Sequence, residues 1–165
     1  MAAFLYRMET LYTGSEPEFS LPSTSPFVDV SPGHVFYKQI VWLAGTGITT
    51  GYADGTFRPS QPVLREQMAA FICRFDLAQP CADVSEDIGG DPFQVFVDVP
   101  PGHTFFDAIF VMFAAGISTG YADGTYRPSQ PVLREQMAAF LTRYINLWSS
   151  SSTATDKPSP EALIR

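Results

Sequence analysis

Residues 51–71 read Gly-Tyr-Ala-Asp-Gly-Thr-Phe-Arg-Pro-Ser-Gln-Pro-Val-Leu-Arg-Glu-Gln-Met-Ala-Ala-Phe, and residues 120–140 repeat that stretch with Tyr126 against Phe57 as the sole change. The offset from Gly51 to Gly120 is 69 residues. In the same register Phe27-Val28-Asp29-Val30 falls on Phe96-Val97-Asp98-Val99, and Pro32-Gly33-His34 on Pro101-Gly102-His103. Met1-Ala2-Ala3-Phe4-Leu5-Tyr6-Arg7 aligns with residues 68–74 and 137–143, so the chain opens inside a third copy. A tandem array is the first conclusion, and it governs how every other pattern is read.

Within each copy the apolar spacing predicts helix, long loop, helix. Phe36, Ile40, Leu43 and Gly47 fall on one helical stripe, as do Phe105, Ile109, Met112 and Gly116, with Gly45 or Gly47 as terminator. In the second helix Leu64, Met68, Phe71, Ile72 and Phe75 share a face, repeated by Leu133, Met137, Phe140, Leu141 and Tyr144. The expected fold class is all-α. One helix pair cannot bury such stripes alone, so the copies must pack on one another, the second helices forming a central bundle. The expected organisation is a second helix of a truncated copy at 1–12, a linker at 13–26, a full copy at 27–75, a linker at 76–95, a second full copy at 96–148 and a disordered tail at 149–165. Pro, Gly, Ser and acidic residues crowd the linkers, and Ser and Pro the tail.

Divergence within the copies is uneven. Tyr37–Thr46 agrees with Phe106–Ala115 only at Ile40 and Ile109, while the following segment is almost unchanged. Uniform drift after duplication does not produce that contrast; selection on the loop and second helix, or local gene conversion, does.

Composition narrows the function classes. The 165 residues are 45% hydrophobic and 16% charged, which suits a folded chain. Ten basic against seventeen acidic residues leave a net charge of -7, so nucleic acid and membrane insertion are not expected. No apolar run reaches the length of a bilayer span. Met-Ala-Ala-Phe-Leu-Tyr-Arg does not read as a secretory signal, and the expectation is a fragment boundary or misplaced start, which would account for both that and the lost front of the first copy. Cys73 and Cys81 lie close enough for a local disulfide in an oxidising compartment, although two free thiols would read the same way.

No enzyme constellation is visible: there is no nucleophile elbow and no phosphate-binding loop. Asp29 and Asp98 are the candidate acids for glycoside hydrolysis, and neither has a partner acid that the sequence places beside it. The Tyr-Ala-Asp-Gly-Thr loop lacks the alternating acids of a calcium loop, so no metal or cofactor is expected. His34 and His103 read as loop-packing or capping residues. Asp54-Gly55 and Asp123-Gly124 make tight turns in the simplest reading. Tyr52 and Tyr121 either present a ring to a sugar or lie under the loop.

Phe-Val-Asp-Val, then an amphipathic helix, then Gly-Ile-Thr-Thr-Gly-Tyr-Ala-Asp-Gly-Thr-Phe-Arg-Pro and Arg-Glu-Gln-Met-Ala-Ala-Phe closely resembles the S-layer homology family. The resemblance covers two full repeats and part of a third. It implies helix-loop-helix repeats in a three-repeat spindle, here incomplete, whose grooves hold secondary cell-wall polymers that often carry acidic ketal-pyruvate groups. The expected function is therefore non-covalent anchoring to anionic cell-wall polysaccharide outside the cell, at the wall or cell surface. The alternative is a structural or protein-interaction module that has lost glycan binding, because the family's Thr-Arg-Ala-Glu signature stands here as Leu64-Arg65-Glu66-Gln67 and Leu133-Arg134-Glu135-Gln136.

That signature is also a capping box, so Leu64 and Leu133 lose the cap hydroxyl while Gln67 and Gln136 can still reach back to a backbone amide. An arginine in a helix's first turn opposes the dipole at a cost of about 0.3 to 1 kcal/mol. Arg65 and Arg134 therefore need compensation, from a carboxylate such as Glu66 or Glu135 or from a bound anion. The candidate ligand-binding set is Arg65, Gln67, Arg134 and Gln136, widened by Arg58 and Arg127 just before the helix and by Asp54, Gly55, Asp123, Gly124, Tyr52 and Tyr121 in the loop.

Overall fold

Helices account for the regular structure in the computed structural model, which describes residues 1–77 and 94–150. They are α1 (Ala2–Thr13), α2 (Tyr37–Gly45), α3 (Arg65–Leu77), α4 (Phe106–Ala114) and α5 (Arg134–Ser150). Among the described residues the sole extended pairing is an isolated bridge between Leu64 and Pro131. The all-α expectation holds. The tail from 151 and most of the 76–95 linker lie outside the described residues.

The chain divides into two compact units, Met1–Gln61 and Pro62–Arg165. The division falls inside the first full copy, between its loop and its second helix. Each unit thus joins the second helix of one copy to the first helix and loop of the next: α1 packs on α2, and α3 on α4. This is how a helix pair too small to bury its own stripe finds a partner surface.

In the first unit Leu5, Tyr6 and Met8 of α1 are buried, as are Ile40, Val41, Trp42 and Leu43 of α2. Tyr6 and Trp42 meet edge to face, 5.3 Å between centroids. The Tyr37 hydroxyl donates to the Pro22 carbonyl at 2.9 Å, tying the 13–26 segment to α2. In the second unit Met68, Ile72 and Phe75 of α3 are buried, together with Phe106, Ile109 and Met112 of α4.

One stripe position is corrected. Phe36 is 44% exposed, and Tyr37 takes the buried place expected for it. Phe36 is the N-cap, with φ -109°, so its side chain leaves the helical register. Phe105, also an N-cap, is only half-buried, with Phe106 buried beside it. The Nδ1 atoms of His34 and His103 accept from the Phe36 and Phe105 backbone N–H at 3.1 and 3.2 Å, local bonds in the loop that leads into each helix. Gly47, with φ +77°, takes the left-handed position after α2 that Gly45 does not.

Both loops are built alike. Asp29 accepts the backbone N–H groups of Phe57 and Arg58, each at 2.8 Å. Asp98 does the same for Tyr126 and Arg127. These carboxylates hold the loops shut. The two bonds also hold Arg58 and Arg127 at φ +58° and +59°, a region that costs non-glycine residues energy.

Candidate functional site

The second unit carries a cleft of about 180 Å³. Its walls are Arg65 at the start of α3, the Ser118–Tyr121 loop, and one face of α5 formed by Gln136, Ala139, Phe140 and Arg143. Loop and helix start are joined through the backbone. Arg65 N–H donates to the Gln130 carbonyl at 2.9 Å, Glu66 N–H to the Pro128 carbonyl at 3.0 Å, and Val132 N–H to the Val63 carbonyl at 2.9 Å. The first amides of α3, orphans in an isolated helix, are thereby satisfied.

Arg65 is 4% exposed. Its Nε donates to the Tyr126 carbonyl at 2.8 Å, and Nη2 reaches Ser118 Oγ at 3.5 Å. The guanidinium lies over the rings of Tyr126, Tyr121 and Phe140, at 4.6, 5.0 and 5.6 Å from their centroids. Ring faces are electron-rich and attract the cation more strongly where water is excluded. Glu66 does not supply the compensation considered from the sequence; it faces His103, with 3.5 Å between Oε2 and Nε2. Among the described residues no carboxylate is within ion-pair distance of Arg65.

Arg143 brings a second guanidinium to the same cleft and anchors it by donating to the Ile117 carbonyl at 3.0 Å. No acidic side chain lines the walls. The result is a local positive site on an acidic protein, with guanidinium donors to spare and ring faces beside them. Such a site suits an anion carried on a sugar or another flat, partly apolar body.

The Tyr126 hydroxyl donates to the Arg65 carbonyl at 3.3 Å, a bond that Phe57 lacks the group to make. Burial pushes the Tyr126 phenol above its ordinary pKa. The one difference between the two 21-residue stretches thus falls on a buried ring that packs against Arg65, one of the residues lining this cleft.

Of the predicted site residues, the cleft gathers Arg65, Tyr121 and Gln136. Gln136 Oε1 also accepts the Leu133 N–H at 3.1 Å, and Gln67 Oε1 the Leu64 N–H at 3.1 Å, so the surviving half of each capping box is made. Arg134 is exposed, outside any such cage. Arg58 and Arg127 are engaged locally: each donates through Nη2 to Asp54 or Asp123 at 2.9 Å and lies 3.9 or 3.8 Å from the ring centroid of Tyr52 or Tyr121. The Thr56 and Thr125 hydroxyls, then these arginines, hold Asp54 and Asp123 at a pKa of about 2. Asp54 Oδ1 also accepts the Thr56 N–H at 3.1 Å, the side-chain turn expected of Asp-Gly, with Gly55 and Gly124 at φ +75° and +78°.

Sequence reasoning missed Arg143, Ser118, Thr119, Gly120, Ala139 and Phe140. A signal for four of the lining positions was present, since Gln136, Ala139, Phe140 and Arg143 follow the i, i+3, i+4, i+7 rule of one helix face. The first-turn arginine drew attention to the helix start instead. Cys73 is buried on α3, and Cys81 lies outside the described residues.

The S-layer homology domain model matches residues 26–69 and 95–138. The chain belongs to that family. Several curated proteins are similar to this S-layer homology chain. Cell surface glycoprotein 1 of Acetivibrio thermocellus is 27% identical over 137 residues, covering 79% of this chain and 6% of that protein. The Cell surface protein of Thermoanaerobacter kivui is 28% identical over 121 residues, 73% of this chain and 15% of that protein. The Cellulosome-anchoring protein of Acetivibrio thermocellus is 26% identical over 121 residues, 73% of this chain and 26% of that protein. The chain thus spans about a quarter or less of the length of each of these relatives. No solved structure gives a significant match.

Proposed function

We propose that this chain is a non-enzymatic anchoring module that holds a larger protein on the bacterial cell surface by binding an anionic cell-wall polysaccharide in the cleft beside Arg65. The observation that carries the reading is a guanidinium 4% exposed, without a carboxylate partner among the described residues, opening on a cleft that holds a second guanidinium and no acid. Family membership and relatives named as cell surface and cellulosome-anchoring proteins support the anchoring role. An acidic group on the polymer would complete the charge balance of the cleft, and a pyruvate ketal is one such group.

The test is co-sedimentation with purified wall sacculi. Arg143→Ala removes an exposed side chain and should weaken retention about tenfold, the scale of one charge-assisted hydrogen bond. Arg134→Ala, outside the cleft, should leave it unchanged. Undiminished retention of Arg143→Ala and of a folded Arg65→Ala variant would overturn the assignment of the cleft.

The aromatic cage around Arg65 also suits a purely structural staple, the reading in which glycan binding has been lost. Sacculi stripped of secondary polymer separate the two. Loss of retention supports glycan recognition, and full retention assigns the wall contact to another partner.

A further inference from the structure

The loop groups that hold Arg65 in the second copy have counterparts in the first. Ser118, Tyr121, Tyr126, Pro128 and Gln130 fall on Thr49, Tyr52, Phe57, Pro59 and Gln61 in the 69-residue register. The two loops share their backbone as well. Gly51 and Gly120 both stand at φ +69°, and Arg58 and Arg127 at +58° and +59°. Tyr52 and Tyr121 N–H donate to the Thr56 and Thr125 carbonyls, each at 2.8 Å. Phe27 backs the Phe57 ring and Phe96 the Tyr126 ring, both with 5.2 Å between centroids.

The loops differ in what they hold. In the second, the Tyr126 carbonyl accepts from Arg65 Nε, the Gln130 carbonyl from Arg65 N–H and the Pro128 carbonyl from Glu66 N–H. In the first, no donor among the described residues reaches the Phe57, Pro59 or Gln61 carbonyl, and no cation among them lies over the Phe57 ring. The helix packed on α2 explains this: α1 aligns with α3 only from Met68 onward, so none of its residues falls on Arg65. Accordingly Phe57 is half-buried where Tyr126 is buried, and Pro59 is exposed where Pro128 is half-buried.

The first loop keeps its shape without a cation, because Asp29 holds it through the Phe57 and Arg58 N–H groups. A group entering it therefore has little chain to order. Ring faces attract a cation, and a carbonyl beside them takes one of its N–H donors. A planar guanidinium meets both at once better than a compact ammonium does. The net charge of -7 favours a cation at long range.

We propose that the first unit carries a binding site for a guanidinium cation, in which the Phe57 carbonyl accepts from the guanidinium and the Phe57 and Tyr52 rings pack against it. An arginine of a partner protein is one bearer, and it would add its own backbone N–H to the Gln61 carbonyl. A free guanidino compound is the other. This ligand is opposite in charge to the anion assigned to the Arg65 cleft, and the inference does not rest on that assignment.

The test is an amide NMR titration of the full chain with acetyl-arginine-methylamide, its neutral citrulline analogue and agmatine. The Thr49, Tyr52, Phe57 and Arg58 amides should shift with the arginine derivative, with a half-point on the order of 1 mM, and the citrulline analogue should act at least about fivefold more weakly. The second loop is the internal control. Its amides at Ser118, Tyr121, Tyr126 and Arg127 should stay in place, because Arg65 already fills that loop. In Arg65→Ala, its fold checked by circular dichroism, they should respond as well. Phe57→Leu keeps apolar bulk but removes the ring, and should weaken binding about fivefold. Tighter binding of the arginine derivative than of agmatine supports the site with a protein as its partner, and equal binding supports it with a free guanidino compound. No shift at the first loop, an equal shift with the citrulline analogue, an equal response of both loops in the unaltered chain, or undiminished binding by Phe57→Leu overturns the proposal.

Discussion

Gly51→Ala or Gly120→Ala adds one methyl group, and the loops have no space for it. The new Cβ would lie 2.4 Å from Phe27 Cε1 and 2.7 Å from the Thr56 carbonyl in the first case, and 2.2 Å from Phe96 Cε1 in the second. Both glycines also sit at φ +69°, where an L side chain is strained. Each substitution should cost about 2 kcal/mol or more, read from the urea midpoint. The carboxylates give a second residue-scale expectation. Asp54 and Asp123 titrate at about 2 in the fold against an ordinary 3.8. The unfolded chain therefore takes up protons first as pH falls, and the stabilisation, complete above about pH 4, drains away towards pH 2. Replacing both with Asn should flatten the dependence of the urea midpoint on pH across that window. At this scale the sequence was legible wherever a residue acts on its neighbours, as with Asp-Gly and His34. It offered Asp29 only as a candidate acid and did not reveal that this carboxylate accepts from the backbone of Phe57 and Arg58.

At the scale of the element, the starts of α3 and α5 are half-finished caps. Gln67 and Gln136 bond the N-cap amides, but Leu64 and Leu133 offer no oxygen in return. Leu133 is 53% exposed, so Leu133→Thr restores the missing oxygen without emptying a core site. It should raise stability by about 1 kcal/mol, measured by urea denaturation. Helix placement followed from apolar periodicity, which depends only on the 3.6-residue turn. Phe36 escaped that logic because the residue just outside a helix obeys the loop's dihedral angles.

At the scale of the whole molecule, identical words acquire different meanings. Residues 63–71 and 132–140 share the sequence Val-Leu-Arg-Glu-Gln-Met-Ala-Ala-Phe, yet Arg65 is caged by rings and Arg134 is exposed. Arg65→Ala should cost about 2–4 kcal/mol, since it strips a buried cation from three rings and a carbonyl, whereas Arg134→Ala should stay within about 0.5 kcal/mol. Paired urea titrations of the two variants check this.

The chain's repeat period, its helices and its family were decided by sequence alone, because each depends on residues near one another or on self-similarity at a fixed spacing. The cleft and its arginine were decided by tertiary structure. A buried guanidinium needs rings and carbonyls from a loop more than fifty residues away, and only packing determines which of two identical helix starts receives that loop.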